Sequence, residues 1–387
     1  MHKWLHVSDL HLTEGPRLED ESSTLNRIVE KGVSEDVSMW LVTGDLYGHA
    51  VPHRSTPKER LAFIPALLRM ADQAPVILVQ GNHDHPEDFE LFHELHSEHK
   101  IYAVTAAEHI EVETHSGVVD VFAMAYPTKG WLLRGAVQPA GVERLSVERT
   151  NQMVQDRLAM LFKAWGARVR GDRPSVFAGH VMVRGSETGS GVVLSGKEIE
   201  FTPHQLGQLD VTYGALGHMH HRQEPLPGWW YPGSPWSTAH GSSKEERFVH
   251  LVTEGQVLAC NTGARRFVTV DAYWEDGRWT NFKGEPWNDK ALEQHGVEDA
   301  EVRIRLRYRE EQMDTATCSE FVKQVWSWAP MRVKVESQVT PSSKTRAPEV
   351  VDASSVGELL NLWCSLQDPE PTTQVRERMH ELAGSAS

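Results

Sequence analysis

The sequence predicts an α/β protein built on a sheet flanked by helices. Three observations lead there. Short apolar, β-branched runs alternate with longer stretches of helical periodicity up to about residue 272. Five of the strand-like runs stop abruptly at polar residues able to bind metal. The chain has 387 residues, of which 40 % are hydrophobic, enough for a large domain with one or two smaller ones attached.

Taken in order, Trp4-Leu5-His6-Val7 reads as the first strand, followed by Ser8-Asp9-Leu10-His11. Residues 25–37 are patterned as a helix, and 39–43 as a second strand that ends at Gly44-Asp45. Pro57 suits the first turn of a helix over 58–71, with Leu61, Ile64, Leu67 and Leu68 on one face. Val76-Ile77-Leu78-Val79 is a buried strand leading to Gly81-Asn82-His83-Asp84, and Pro86 opens a helix expected to run towards residue 99. A β-rich stretch over 110–126 and a long helix over 146–168 follow. Strands at 175–178 and 211–216 end at Gly179-His180 and Gly217-His218-Met219-His220. Further strands are expected at 247–253 and 267–272. Composition then shifts: 276–289 reads as a boundary loop, 301–309 and 331–339 alternate as strands around a helix at 317–328, and 341–350 reads as a linker. Helices at 355–367 and 373–383 close the chain.

Bulk properties narrow the function. The net charge of −15 argues against a protein that wraps nucleic acid through its overall charge. The three cysteines are widely spaced, which fits a reducing cytoplasm and speaks against a disulfide framework. No signal peptide and no membrane-spanning run is expected. Many of the 21 histidines fall in the stretch 83–115, read as a solvated helical surface, and His6 alternates into the core.

The strand ends carry the chemistry. Asp9 with His11, Asp45, Asn82 with His83, His180, and His218 with His220 each follow a strand-like run. In layered α/β sheets ligands gather beyond the carboxyl ends of the strands. Alternate residues leave a strand on the same side, so each Asp-x-His or His-x-His pair can face one point. Carboxylate, amide and imidazole donors without thiolate suit manganese, iron or zinc in open sites. Seven or eight such ligands are too many for one ion with room for substrate. They suit two, bridged by a single carboxylate, best supplied by Asp45. The two ions outweigh Asp9 and Asp45, which leaves a positive site in an acidic protein. Phosphoester hydrolysis by metal-activated water is the reaction this predicts. Asp84 is read as a hydrogen-bonder that braces the loop.

As a set, Asp9-x-His11, Gly44-Asp45, Gly81-Asn82-His83-Asp84, Gly179-His180 and Gly217-His218-x-His220 resemble the calcineurin-like metallophosphoesterases. With Ala215-Leu216 before the last motif and Tyr231-Pro232-Gly233-Ser234-Pro235 after it, the likeness is to the SbcD family of nuclease subunits, from residue 1 to roughly 340. The resemblance implies a four-layer α-β-β-α metallophosphoesterase core (1–272), a small α+β capping domain that contacts DNA (273–340), a linker (341–351) and a C-terminal helical docking segment (352–387). It implies two manganese ions, one on Asp9, His11, Asp45 and His220, the other on Asp45, Asn82, His180 and His218. His83 would orient the scissile phosphate and protonate the leaving oxygen. Relatives with a second active-site histidine carry it where Gly48 stands, and His49 is the nearest candidate to replace it.

The resemblance further implies a 3′–5′ exonuclease and endonuclease acting on DNA in the cytoplasm, partnered by an SbcC-type SMC-like ATPase. Arg303, Arg305, Arg307 and Arg309 alternate along one strand face about 6.6 Å apart and could track a phosphate backbone. The competing reading of that face is an ordinary solvated one balanced by acids. Val356, Leu359, Leu360 and Trp363 form the apolar side of a helix suited to docking the ATPase. A homodimer would use the helices at 58–71 and 86–99, with Leu67, Leu68, Phe89 and Phe92 as candidates. The alternatives are a small-molecule phosphodiesterase or phosphatase on the same core, and a non-catalytic DNA-end tether.

Overall fold

The computed structural model describes residues 1–48, 54–133, 146–187, 198–237, 246–254, 256–309, 315–340, 360–361, 364 and 372–384. His49, Val356, Leu359, Trp363 and the predicted linker lie outside them. Two compact units are present: Met1–Val270 with Asn288–Ile304 and Gln324–Lys334, and Asp271–Trp287 with Arg305–Lys323 and Val335–Ser387.

In chain order the first unit begins β1 (Lys3–Val7), α1 (Leu18–Ser34), β2 (Met39–Thr43), α2 (Pro57–Gln73), β3 (Val76–Val79), α3 (Pro86–His93) and β4 (Ile101–Val104). It continues with β5 (Ala107–Thr114), β6 (Gly117–Met124), α4 (Lys129–Leu132), α5 (Val147–Gly166), β7 (Ser175–His180), β8 (Met182–Val183), β9 (Glu200–Phe201), α6 (Pro203–Leu206) and β10 (Tyr213–Gly217). Then come β11 (Gln223–Leu226), β12 (Trp229–Tyr231), β13 (Phe248–Thr253) and β14 (Gln256–Asn261). Two six-stranded sheets result, in the orders β14-β13-β1-β2-β3-β4 and β11-β12-β10-β7-β6-β5. β1 to β4 run parallel, as do β6, β7, β10 and β12.

Alternation along the strands builds four layers. Leu41, Ile77, Val121, Val176 and Ala215 meet between the sheets. Trp40, Val42 and Leu78 face the other way, packing with Leu25 and Ile28 of α1 and Phe63 and Leu67 of α2. On the far side Phe177 packs against Leu158, Phe162 and Trp165 of α5. The central strands are covered on both faces, which is why they read as continuous apolar runs. The layered α-β-β-α arrangement is therefore as expected.

Several details differ. α1 starts at Leu18, not residue 25, because its first turn is Glu19, Asp20 and Glu21. Acids there favour the positive end of the helix but leave no apolar periodicity to read. α3 ends at His93, short of residue 99. The stretch 83–115 is not one helical surface: His109 lies on β5, where it stacks on Phe122 with ring centroids 4.6 Å apart and reaches Asp120 at 2.9 Å. Leu67, Phe89 and Phe92 are fully buried in their own core, so they are unavailable to a dimer contact. Outward-facing Leu61 and Leu91 sit on the same helices, 73 % and 39 % exposed.

The remaining elements are β15 (Phe267–Glu275), β16 (Arg278–Thr280), α7 (Asp289–Gln294), β17 (Glu301–Arg309), α8 (Thr315–Trp326) and β18 (Arg332–Thr340), with a helix at Thr373–Gly384. The strands form one sheet in the order β16-β15-β17-β18. The predicted loop over 276–289 thus contains a strand. Its Trp279 stacks on Phe321 at 5.3 Å within the second unit. Along β17, Val302, Ile304 and Leu306 are buried as predicted, and the arginines take the other face. Arg305 lies 3.8 Å from Asp271 and 3.6 Å from Glu336; Arg307 lies 3.1 Å from Asp271 and donates to Gln338 at 2.7 Å. Much of that guanidinium charge is matched by the sheet's own acids.

A buried polar chain crosses between the two sheets. Arg222 donates from Nε to His250 Nε2 (3.0 Å), which places the His250 proton on Nδ1, towards the Tyr213 hydroxyl at 3.3 Å. Tyr213 donates to His6 Nδ1 (2.8 Å), and His6 Nε2–H donates to Thr43 Oγ1 (2.9 Å). All bonds are satisfied only if both imidazoles stay neutral. Burial pushes His250 down to about 3, with the Arg222 charge adding to it, and burial also lowers His6 well below the usual range. A depressed histidine binds its proton in the unfolded chain first, so stability is complete above about pH 6.5 and falls below it. Wild type is expected to lose about 1.4 kcal/mol per pH unit relative to His250→Gln between about pH 6.5 and pH 3, read from urea unfolding at each pH. Parallel pH curves would show that His250 titrates normally.

Candidate metal centre

Parallel strand ends bring the predicted residues together. β7 and β10 pair with His180 opposite Gly217, and β1, β2 and β3 end beside them. The backbone then takes uncommon turns: Asp9, His11, Asp45 and His218 have φ of 55°, 48°, 53° and 104°. Such left-handed conformations in non-glycine residues cost about 1–3 kcal/mol each and cluster at functional sites. Gly44, with φ 92°, turns β2 into Asp45; a Cβ on it would meet His180 Nδ1 at 2.3 Å. At Gly81 a Cβ would lie 2.2 Å from Asp45 Oδ1.

The donor atoms fall into two clusters. In one, His11 Nε2 and His220 Nε2 approach to 2.9 Å, with Asp9 Oδ1 4.0 and 3.8 Å from them. In the other, His180 Nε2 and His218 Nδ1 each lie 3.0 Å from Asn82 Oδ1. Asp45 Oδ2 stands between them, 3.5 Å from His11 Nε2 and 3.4 Å from His180 Nε2. His83 Nε2 lies 3.9 Å from the same oxygen, and the His83 and His11 rings meet edge to face at 5.1 Å. All eight predicted metal and catalytic positions within the described residues therefore converge. The ninth, His49, lies outside them. At Gly48 a Cβ would meet Thr13 Oγ1 at 2.1 Å and the His11 carbonyl oxygen at 2.7 Å, so no side chain fits there without movement.

The chemistry of these atoms fits cations. His180 Nδ1–H donates to the Thr43 carbonyl at 2.7 Å, which leaves Nε2 of the neutral ring bare. That lone pair points at two oxygens, Asn82 Oδ1 and Asp45 Oδ2, that also present lone pairs. Acceptors packed against acceptors in a buried site call for protons or metal ions between them. The side chains answer with protons only in part. Burial pushes His11 down to about 4 against the raising pull of the Asp45 charge, whereas His180 reaches about 9 because the Asp45 charge and contact overcome its burial. Burial alone would raise Asp45; the facing charges of His180, His11 and His83 hold it well below the usual carboxylate range.

Supporting residues hold the cluster. Asp84 accepts from the backbone N–H of Asp45 (2.9 Å), Leu46 (2.8 Å) and Gly81 (2.9 Å), bracing two strand ends as the sequence suggested. Burial and the Asp45 charge push its carboxyl up to about 7 against those donors. Sequence reasoning missed others. Ser8 Oγ lies 2.5 Å from Asp9 Oδ2, and Ser234 Oγ donates to the Asp9 carbonyl at 2.7 Å. The 231–235 motif thus braces both Asp9 and, through Ser234 N–H at 3.2 Å, the His220 carbonyl. Tyr126 packs against His180 and His218, and Glu198 lies 3.0 Å from His218 Nε2. Ser8 and Ser234 sit inside the quoted motifs. Tyr126 and Glu198 carry no local signal.

Comparison with known proteins places the chain in a class. The model for calcineurin-like phosphoesterases matches residues 2–222, and the chain belongs to that family. The family uses divalent metals, and among the described residues Asp9-His11-His220, His11-Asp45-His83 and Asp45-His180-His218 form groups able to hold them. The chain is similar to proteins named as the D subunit of the nuclease SbcCD. Identity is 26 % over 242 residues with that of Bacillus subtilis (strain 168) and 21 % over 232 with that of Staphylococcus epidermidis. Each match spans 57 % of this chain and 57 % of the relative. Among solved structures, TT1561 of Thermus thermophilus aligns with a TM-score of 0.40 at 15 % identity, over 67 % of this chain and 99 % of that one.

Replacing Asp84 with Ala strands three buried N–H groups at about 1–3 kcal/mol each. Asp84→Ala should lower the urea unfolding free energy by about 3 kcal/mol or more, and Asp84→Asn, which keeps one acceptor oxygen, by less. Wild-type stability in Asp84→Ala would contradict the bracing role.

Proposed function

We propose that this chain is a manganese-dependent DNA nuclease, with 3′–5′ exonuclease and endonuclease activity. In this reading it works in the cytoplasm as one component of a complex with an SMC-like ATPase. The observation that carries the reading is Asp45 Oδ2, set between two clusters of nitrogen and oxygen ligand atoms at 3.5 and 3.4 Å. One ion would be held by Asp9, His11, Asp45 and His220, and the other by Asp45, Asn82, His180 and His218. When bound, such a pair activates water and stabilises charge at phosphorus.

The chain's own residues supply the rest. His83 is the half-buried imidazole at the edge of the cluster, beside the shared Asp45 oxygen. There it can orient the scissile phosphate and give its Nε2 proton to the leaving oxygen as the P–O bond breaks. Its main-chain N–H donates to Asp45 Oδ1 at 3.0 Å, so the acid and the bridging carboxylate are held in register. Tyr126 lies against both imidazoles of the second cluster. The relatives' name, which makes them one subunit of the nuclease SbcCD, supports both nucleic acid as substrate and a second subunit as partner. In this reading 273–340 caps the site and 352–387 docks the ATPase. A homodimer would have to use outward residues such as Leu61 and Leu91.

The test offers purified chain with manganese three substrates: linear duplex DNA, a nitrophenyl phosphodiester and a phosphopeptide. DNA should be degraded, and His83→Ala should slow it about 100-fold or more while metal binding persists. Turnover of the phosphopeptide or the small diester without DNA cleavage would move the assignment to a phosphatase or phosphodiesterase. Separately, Arg305→Glu with Arg307→Glu should weaken DNA binding and lower its salt slope by about 2. Unchanged binding would mean that these ion-paired arginines are structural.

A further inference from the structure

We infer that Glu198 is a positioning residue of the second metal site, and that it sets the tautomer of His218. The inference rests on the metal-centre reading above and goes beyond the ligand set. Glu198 Oε2 lies 3.0 Å from His218 Nε2, on the side of the ring away from the cluster. A carboxylate can only accept there, so the ring carries its proton on Nε2. Nδ1 is then bare, and it is Nδ1 that lies 3.0 Å from Asn82 Oδ1.

The other imidazole of the same cluster is handled in the same way. His180 is fixed from behind by the Thr43 carbonyl, which takes its Nδ1 proton at 2.7 Å and leaves Nε2 to face inward. The two rings present opposite nitrogens to one point, and each has its own acceptor to enforce the choice. For His180 the acceptor is main chain. For His218 it is a side chain, which adds negative charge behind the ring and makes the inward nitrogen more basic.

The local fold seats Glu198 beside buried neighbours. Ile199 and Phe201, alternating with it, are buried in the core of the second sheet. Phe201 lies on β9, which pairs in parallel with β8, and β8 begins two residues after His180. Glu198 is thus tied to the continuation of the strand that carries the other imidazole. His218 needs such a tie: its backbone is left-handed at φ 104°, and its ring otherwise meets Tyr126 at a tilt and His180 edge to face.

The test uses the full chain and two variants, Glu198→Ala and Glu198→Gln; glutamine keeps an acceptor oxygen without the charge. First, ¹⁵N-histidine NMR of metal-free protein, with the His218 signals identified by their loss in His218→Gln, reads the tautomer directly. Wild type and Glu198→Gln should hold the proton on Nε2, and Glu198→Ala should shift it substantially to Nδ1. Second, calorimetric titration with manganese should give two ions in wild type. In Glu198→Ala one of the two affinities should fall about 10–100-fold, and Glu198→Gln should recover most of it. An unchanged tautomer and unchanged affinities in Glu198→Ala would overturn the inference, as would an equal loss in both variants. Wild-type protein that binds no manganese would instead remove the proposed function, and the NMR arm would still decide the tautomer.

Discussion

The site depends on one crowded contact, the Asp45 carboxylate buried between the imidazoles of His11 and His180. A buried carboxylate is costly, and the facing charge of His180, 3.4 Å away, offsets part of that cost, whereas His11, 3.5 Å away, is pushed down by its own burial. The surrounding structure imposes the arrangement. Asp84 clamps the main chain on both sides of the contact, Gly81 lets the carboxylate approach, and four left-handed residues turn the donors inward. The strain is tolerable because it is confined to loop positions at the edge of a large apolar core. Cations shared among these atoms would convert the crowding into binding, and binding to the folded state alone adds to stability.

The space between the sheets shows the same economy of polar groups. Most of it is filled by Leu41, Ile77, Val176 and their neighbours. A chain of hydrogen bonds, from Arg222 through His250, Tyr213 and His6 to Thr43, passes through it. It ends at the residue whose carbonyl orients His180. Packing between the sheets and orientation at the metal centre therefore meet at Thr43. Arg305 and Arg307 of β17 differ: they are paired with Asp271 and Glu336, so a nucleic-acid backbone would have to compete with those acids for them.

Most of the core was legible because its strands are covered on both faces and read as unbroken apolar runs. The donors were legible because each sits within a few residues of such a run. Errors arose where the local pattern was silent or double-edged. The acidic first turn of α1 hid its start, and β16 was masked by turn-forming neighbours. Leu67, Phe89 and Phe92 have the spacing of an interface and of a core alike, and burial assigns them to the core. A histidine at position 48 would require Thr13 and the His11 carbonyl to shift, because they already fill the space.

By itself the sequence determined which side chains end the strands, and with them the donor chemistry, the family and the layered core. These follow from residue type and from the two-residue period of a strand, both local properties. Only the tertiary structure decided which nitrogen of each imidazole faces inward. That choice depends on acceptors distant in sequence, the Thr43 carbonyl for His180 and the Glu198 carboxylate for His218. It also decided that a single oxygen of Asp45 stands between two clusters, since that position results from five strand ends arriving from two different sheets.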